Sequence, residues 1–397
     1  MPYHTEDILF IGASLILLSI FLEKFVSKVG IPTLLIFLGI GLMFGNGGKF
    51  DFYYDSPQLT MAIAEVSLCF ILFFGGLGTK IDYIKPVVKE GITLSTVGVG
   101  LTTLIFAYII QYLGFFDWAT AILLGAVISS TDAAAVFSIL QSKGYRLKEN
   151  ISPTLELESG TNDPMAYFLT ATFTSLLLSG KDFDFLRFAW QLIANMIVGG
   201  LIGWFMGYMM YRLIYILKLK QGLNPILLIS LTLLTYSAAI LLKGNGFLAV
   251  YIAGIVLGNK RIPHKEHING FFEVISWLLE VSLFLILGLQ IKLYELPIVF
   301  WEGLIFSAIL IFIARPISVF ISLIFYKTSL KKMLFISWVG LRGATPIVFA
   351  LYPTLNGLQD GEFILHLTFF IVLTSILIQG SSIPLITKWL NLDDSIK

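Results

Sequence analysis

Charge, cysteine and histidine are all scarce in this 397-residue chain, and each shortage excludes something. With one cysteine, Cys69, no disulfide can form within the chain and no cysteine-based metal site is available. The four histidines, His4, His264, His267 and His366, show no ligand spacing and read as loop or boundary residues. No cofactor is expected. Only 13% of residues are charged, where a soluble domain carries about 25%. The formal net charge is +1, with no basic arm and no interleaving of basic and aromatic residues, so nucleic acid is not an expected partner. The N-terminal "MPYHTEDILF" lacks a positive n-region and a small-residue cleavage site, which makes the first apolar run a span and not a removable signal.

What the chain has instead is apolar length. Hydrophobic residues make up 57% of it, and runs of about 18 or more, long enough to cross a bilayer, recur from end to end. Breaks at Gly, Pro, Asn and charge clusters predict thirteen helices, near 8–27, 31–45, 58–78, 86–113, 117–141, 150–179, 188–217, 224–242, 246–259, 268–289, 297–326, 330–355 and 362–390. The expected fold class is an all-α polytopic membrane protein forming a single domain over 1–397, with the lipid bilayer as its solvent. Basic residues test the count. Nineteen of the 26 fall in alternate loops or at the C-terminal end, Lys28, Lys80, Lys143, Arg146, Lys148 and Lys397 among them. The opposite loops hold five, Lys49, Lys181, Arg187, Lys243 and Lys292. One span more or fewer would scramble this alternation. The positive-inside rule then puts the C-terminus in the cytoplasm and the N-terminus outside, in the plasma (inner) membrane.

The two remaining basic residues, Arg315 and Arg342, fall inside spans. A charge at mid-membrane costs a few kcal/mol even on lenient scales and marks a functional candidate. Asp132, Asp163 and Arg342 lie at similar depth in the fifth, sixth and twelfth expected spans, which makes them a site. "SSTD" (129–132) favours local side-chain-to-backbone bonds over a continuous helix, and Gly340, Gly343 and Pro346 surround Arg342. Interrupted helices at corresponding places in two halves point to a transporter site. The fifth and twelfth spans correspond if the seventh is a linker, giving two inverted six-helix repeats. That repeat rests on topology alone, since the halves share no residue-level similarity.

The stretch "LELESGTNDPMAYFL" (155–169) holds three acids, Glu156, Glu158 and Asp163. Residues four apart share a helix face, so Ser159 goes with Asp163 and Asn162 with Glu158. Glu158 and Asp163 are about 140° apart and address different neighbours. The Ser159–Asp163 face offers oxygens for a hard cation. The Glu158–Asn162 face suits a guanidinium, and Glu158 is expected to pair with Arg342. Pro164 lacks an N–H and frees the carbonyl of Gly160. Glu156 lies nearer the cytoplasmic end. Each candidate also has a plainer role: Asp132 as a helix cap, Arg315 before Pro316 as a brace for polar backbone, and Glu65, Glu273, Glu280 and Glu302 as pore-lining or interhelix groups. Gly199, Gly203 and Gly207 mark close helix packing.

"STD" (130–132), "ESGTNDPMA" (158–166), "ARP" (314–316), "GLRGA" (340–344) and "IQGSS" (378–382) together resemble the NhaP/NHE-type monovalent cation:proton antiporters. The "ESGTNDPMA" wording is most similar to the bacterial NhaP branch associated with potassium/proton exchange. The resemblance covers nearly the whole chain. It implies that Asp163 binds either cation or proton, and that Thr131 (through its backbone), Asp132 and Ser159 complete the cation's oxygen shell. Asn162 stands where electrogenic relatives have a second aspartate, which implies electroneutral exchange. Glu158 would pair with Arg342. It also implies a moving transport core (about 86–179 and 297–390), a scaffold at a homodimer interface (about 8–78 and 224–289) and a linker (about 188–217). The potassium-associated relatives continue into a cytoplasmic regulatory domain, whereas this chain stops seven residues past Leu390, as either a shorter homologue or part of a longer protein.

The function expected is exchange of K⁺ or Na⁺ for H⁺ by alternating, elevator-like access, not an enzymatic reaction. Hard oxygen ligands serve both cations, so the sequence leaves the choice between them open. Two rivals come from other classes. An intramembrane aspartyl protease would use Asp132 and Asp163, but neither lies in a "GxGD"-type setting and a nearby Arg342 opposes the shared proton such a dyad needs. A cation channel would need a filter-like loop, which is absent.

Overall fold

The computed structural model describes residues 5–26, 33–50 and 52–394. His4, Lys28, Lys397 and the ends of the first two expected spans (27, 31 and 32) lie outside the described residues. Apart from one β-bridge, the regular structure among the described residues is helical. The first helices are α1 (Thr5–Val26), α2 (Thr33–Phe44), α3 (Pro57–Gly78) and α4 (Ile81–Tyr112). Then come α5 (Trp118–Val127), α6 (Ala133–Ser142), α7 (Ile151–Ser179), α8 (Phe185–Leu217) and α9 (Leu223–Leu241). The remainder are α10 (Gly246–Gly258), α11 (Lys265–Gln290), α12 (Phe300–Leu323), α13 (Leu330–Trp338), α14 (Ala344–Leu355) and α15 (Gly361–Trp389). Seven of them, α3, α4, α8, α9, α11, α12 and α15, are long and apolar enough to cross a membrane, and shorter apolar helices lie between them. The 29-residue α7 is too polar to join them, as befits a helix that faces other helices and not lipid.

Short polar side chains set the helix starts. Asp117 accepts from the N–H of Ala119, Asp184 from that of Arg187, Asn245 from that of Leu248 and Ser329 from that of Lys332. Each satisfies an orphan donor of a first turn. The expected spans 117–141 and 330–355 are each interrupted, at 128–132 and 339–343. Three π-bulges, at 94–98 in α4, 310–314 in α12 and 376–380 in α15, have no signature in the sequence. The Gly98 carbonyl in the first accepts from the Ser318 hydroxyl of α12 at 2.6 Å, which ties the two bulged helices together.

Helices α2, α3, α10 and α11 meet through small residues: a Cβ on Gly41 would run into Gly288, and one on Gly254 into the carbonyl of Phe73. Gly199, Gly203 and Gly207 do the same for α8 against Asn245, Ala249 and Ala253 of α10, as their spacing predicts. His366 departs from its expected boundary position. It is buried in α15, where its Nδ1 finds two acceptors, the Glu362 carbonyl at 2.7 Å and the Glu295 carboxylate at 3.3 Å.

Candidate functional site

The two helix breaks cross. The N–H of Asp132 donates to the carbonyl of Leu341 at 2.8 Å, so the extended backbone at the end of one break pairs with the backbone of the other. Four half-helix ends therefore converge. The N-termini of α6 and α14 carry positive partial charge and the C-termini of α5 and α13 negative. Asp132 occupies the first pair: its Oδ1 caps α6 through the Ala135 N–H at 3.1 Å, and its carboxylate lies against Gly343, where α14 starts. A Cβ at Gly343 would strike that carboxylate. Arginines occupy the second pair. Arg342 Nη1 donates to the Ser130 carbonyl just past α5, at 2.5 Å, and Arg315 Nη2 lies 3.4 Å from the Ile336 carbonyl of α13.

Helix α7 supplies the rest. Asp163, 8% exposed, accepts from the Ser130 hydroxyl and, at 3.3 Å, from the Thr345 hydroxyl on the first turn of α14. It thus touches the first break and the half-helix that follows the second. Ser159, one turn earlier, accepts from the N–H of Ala133 at 3.2 Å. Asn162 is fully buried and turned away: its Nδ2 donates to the Thr131 hydroxyl at 2.6 Å and lies 3.5 Å from the Thr131 carbonyl. Asp163, Asp132, Thr131 and Ser159 line one cavity, while Asn162 stands behind Thr131 and outside the lining. Gly160, whose carbonyl Pro164 deprives of its helical N–H, also lines the cavity. The Pro164 carbonyl is taken by the side chain of Asn245 at 2.8 Å.

The expected pairing of Glu158 with Arg342 requires correction. Glu158 lies on a separate face of α7 from Asp163, as its phase predicts, but its partner is Arg315, at 2.6 Å, a charge contact without an aligned hydrogen bond. The reason is steric. The Arg315 side chain crosses the break directly over Gly340, where a Cβ would come within 2.7 Å of its Nε, and so reaches Glu158 first. Arg342 is drawn to the Ser130 carbonyl instead, and its Nε and Nη2 have no hydrogen-bond partner. The brace role expected of Arg315 stands beside this ion pair.

The cavity, about 660 Å³, is lined by the buried Asp163 and also by exposed residues, Gly78, Gln141 and Glu273 among them. Glu156 forms part of its wall, donated to by Thr79, the residue that caps the C-terminus of α3, at 2.6 Å. Glu273 and Glu280 line the wall too, in keeping with a pore-lining role. On the other side of Asp163 aromatic rings close the way. Tyr167, one turn past Asp163, packs at 5.2–6.0 Å on Phe247, Phe349 and Tyr352, and Phe247 packs on Tyr236. None of these rings lines the cavity that Asp163 lines. Sequence reasoning missed Thr345, although its place two residues after the second glycine of "GLRGA" was a usable signal. It gave no role to Ser375, nor to Gln379 although that residue lies within "IQGSS".

The family described as "Sodium/hydrogen exchanger, transmembrane" matches residues 13–389. The chain is 37% identical over 390 residues to the K(+)/H(+) antiporter NhaP of Alkalimonas amylolytica, covering 97% of this chain and 67% of that protein. It is likewise 37% identical over 375 residues to the K(+)/H(+) antiporter NhaP2 of Shewanella baltica (strain OS223), covering 94% and 65%. The chain thus spans about two thirds of the length of these relatives. Among solved structures, the sodium proton antiporter MjNhaP1 of Methanocaldococcus jannaschii at pH 8 superposes with a TM-score of 0.83 at 26% identity, covering 96% of this chain and 98% of that one. With its fold, its crossed breaks and its buried aspartate in place, the chain belongs to the transmembrane sodium/hydrogen exchanger family.

Proposed function

We propose that this chain is the transport unit of a secondary antiporter that exchanges a monovalent cation, K⁺ or Na⁺, for H⁺ at Asp163. The observation that carries this is the position of Asp163: buried, lining a cavity, and in contact with both broken helices. Burial favours the proton-bound carboxyl and a bound cation favours the carboxylate, so the two compete for one group. Asp132, Ser159 and Thr131 line the same cavity and supply the remaining oxygens of the cation's shell. Asn162 acts from behind by fixing Thr131.

Charge at the crossing supports one-for-one exchange. Arg315 and Arg342 oppose Glu158, Asp132 and Asp163, which leaves one negative charge when all are ionised. One proton or one monovalent cation makes the group neutral, and a neutral group is the one that crosses the membrane at least cost. The core of α4–α7 and α12–α15 would then move against a scaffold built on α1–α3 and α9–α11, with α8 as linker and the scaffold at a homodimer interface. In this reading the broken pairs α5/α6 and α13/α14 each count as one crossing, giving thirteen, in two inverted halves of six. The positive-inside rule sets the exposed end of the cavity, at Gly78 and Gln141, each two residues before a lysine (Lys80 and Lys143), in the cytoplasm. The aromatic closure beyond Asp163 favours alternating access over a continuous channel. Asp132, committed to capping α6, is poorly placed for a protease dyad.

The test is cation-induced dequenching of a pH dye in everted vesicles. KCl and NaCl are each expected to elicit exchange, to different extents, in the wild type and neither in Asp163→Asn. Robust exchange in that variant would remove Asp163 from the mechanism.

A further inference from the structure

Two buried side chains of α15 bridge the second break and take no part in the scheme above. Gln379, 1% exposed, sits in the π-bulge at 376–380. Its Nε2 donates to the carbonyl of Trp338, the last residue of α13, at 2.6 Å. Its Oε1 accepts from the hydroxyl of Ser375 at 2.5 Å, and that hydroxyl oxygen accepts from the backbone N–H of Arg342 at 3.1 Å. Arg342 in turn holds the Ser130 carbonyl, and the Ser130 hydroxyl donates to Asp163. A single run of polar contacts thus joins α15 to the buried aspartate across both breaks.

We propose that Gln379, acting with Ser375, is a positioning residue for the cation site. It fixes the 339–343 segment, and through Arg342 it fixes the Ser130 groups that face Asp163. This rests on Asp163 as the exchange site. Three features support it. The extra residue of a π-bulge turns the side chains after it by about 100° relative to a regular helix, which lets residue 379 reach sideways to Trp338. The position needs a donor at one atom and an acceptor at the next in a neutral side chain, which an amide provides and a carboxylate does not. The first break is held the same way. There Ser159 accepts the N–H of Ala133 and, four residues later on the same face, Asp163 makes the second link. Ser375 and Gln379 repeat that spacing on α15, with the amide replacing the acid where no cation is to be bound.

The experiment compares wild type, Gln379→Leu, Gln379→Glu and Ser375→Ala in everted vesicles, measuring apparent KM for the cation and maximal rate from acid to alkaline pH. Thermal unfolding of each purified protein is followed alongside. Gln379→Leu strands a buried carbonyl and hydroxyl and is expected to raise KM about tenfold, with a smaller change in maximal rate. Ser375→Ala should raise it less. Gln379→Glu should match wild type at acid pH, where a neutral carboxyl donates to the Trp338 carbonyl. It should fall behind about tenfold at alkaline pH, where a carboxylate faces that carbonyl. An unshifted KM in Gln379→Leu, a Gln379→Glu profile parallel to wild type, or losses that only track the amount of folded protein would each overturn the brace. Exchange surviving in Asp163→Asn would instead overturn the reading of the site on which the brace depends.

Discussion

At the first break, residues 128–132, the polar groups belong to the break itself. Ser130 and Thr131 reach side chains of α7, Asp132 caps the next half-helix, and the carboxylate side faces the cavity. At the second break, residues 339–343, two of five residues are glycine and the one long side chain, Arg342, points back to the first break. Its braces come from elsewhere, Arg315 of α12 and Ser375 and Gln379 of α15. The backbone device is the same and the division of labour is opposite. One break presents ligands; the other supplies counter-charge and room. Electrostatics explains the assignment, because acids sit where half-helix N-termini meet and arginines where C-termini meet.

The comparison breaks most visibly at the arginines. Removing one partner of a buried ion pair costs about 3–5 kcal/mol, so Arg315→Met and Glu158→Gln should each lower the thermal unfolding temperature sharply. The double variant should recover part of the loss, with a coupling of about 0.5–3 kcal/mol. Combining Glu158→Gln with Arg342→Met should show no such recovery. The reverse pattern in unfolding temperatures would restore the Glu158–Arg342 pairing.

The glycines sharpen the contrast. Adding a methyl at either Gly340 or Gly343 overpacks by about 1–3 kcal/mol, but the struck atoms differ. Gly343→Ala meets the Asp132 carboxylate and should weaken cation binding, read as a raised apparent KM. Gly340→Ala meets Arg315 and should lower the unfolding temperature with little change in KM. Equal effects of both on KM would mean that the two breaks are not specialised. The smallest expected effect belongs to the cap. Asp132→Ala should destabilise by about 1 kcal/mol and Asp132→Asn by only a few tenths, since asparagine caps as well. Both should nonetheless raise KM, because both remove the charge beside the cavity.

Much of this architecture was legible in the sequence. Helical phase alone separated Glu158 from Asp163, and the cost of charge in lipid singled out Asp132, Asp163 and Arg342, which do come together at one crossing. The break at "SSTD" and the glycines around Arg342 foretold where helices stop. What stayed hidden has a common cause. Which arginine meets Glu158 depends on Gly340 leaving room for Arg315, and the part played by Gln379 depends on a π-bulge. Both are tertiary facts without a local signature. Asn162 shows the same limit from another side: its position in the motif places it at the site, but its rotamer turns it to Thr131 and away from the cavity.

The central claim is that proton and cation compete for Asp163. Purified protein in weakly buffered detergent solution, titrated with KCl or NaCl at constant ionic strength while released protons are measured, tests it directly. About one proton should appear per cation bound, and none in Asp163→Asn. Cation binding without proton release in the wild type, or undiminished release from Asp163→Asn, would contradict it.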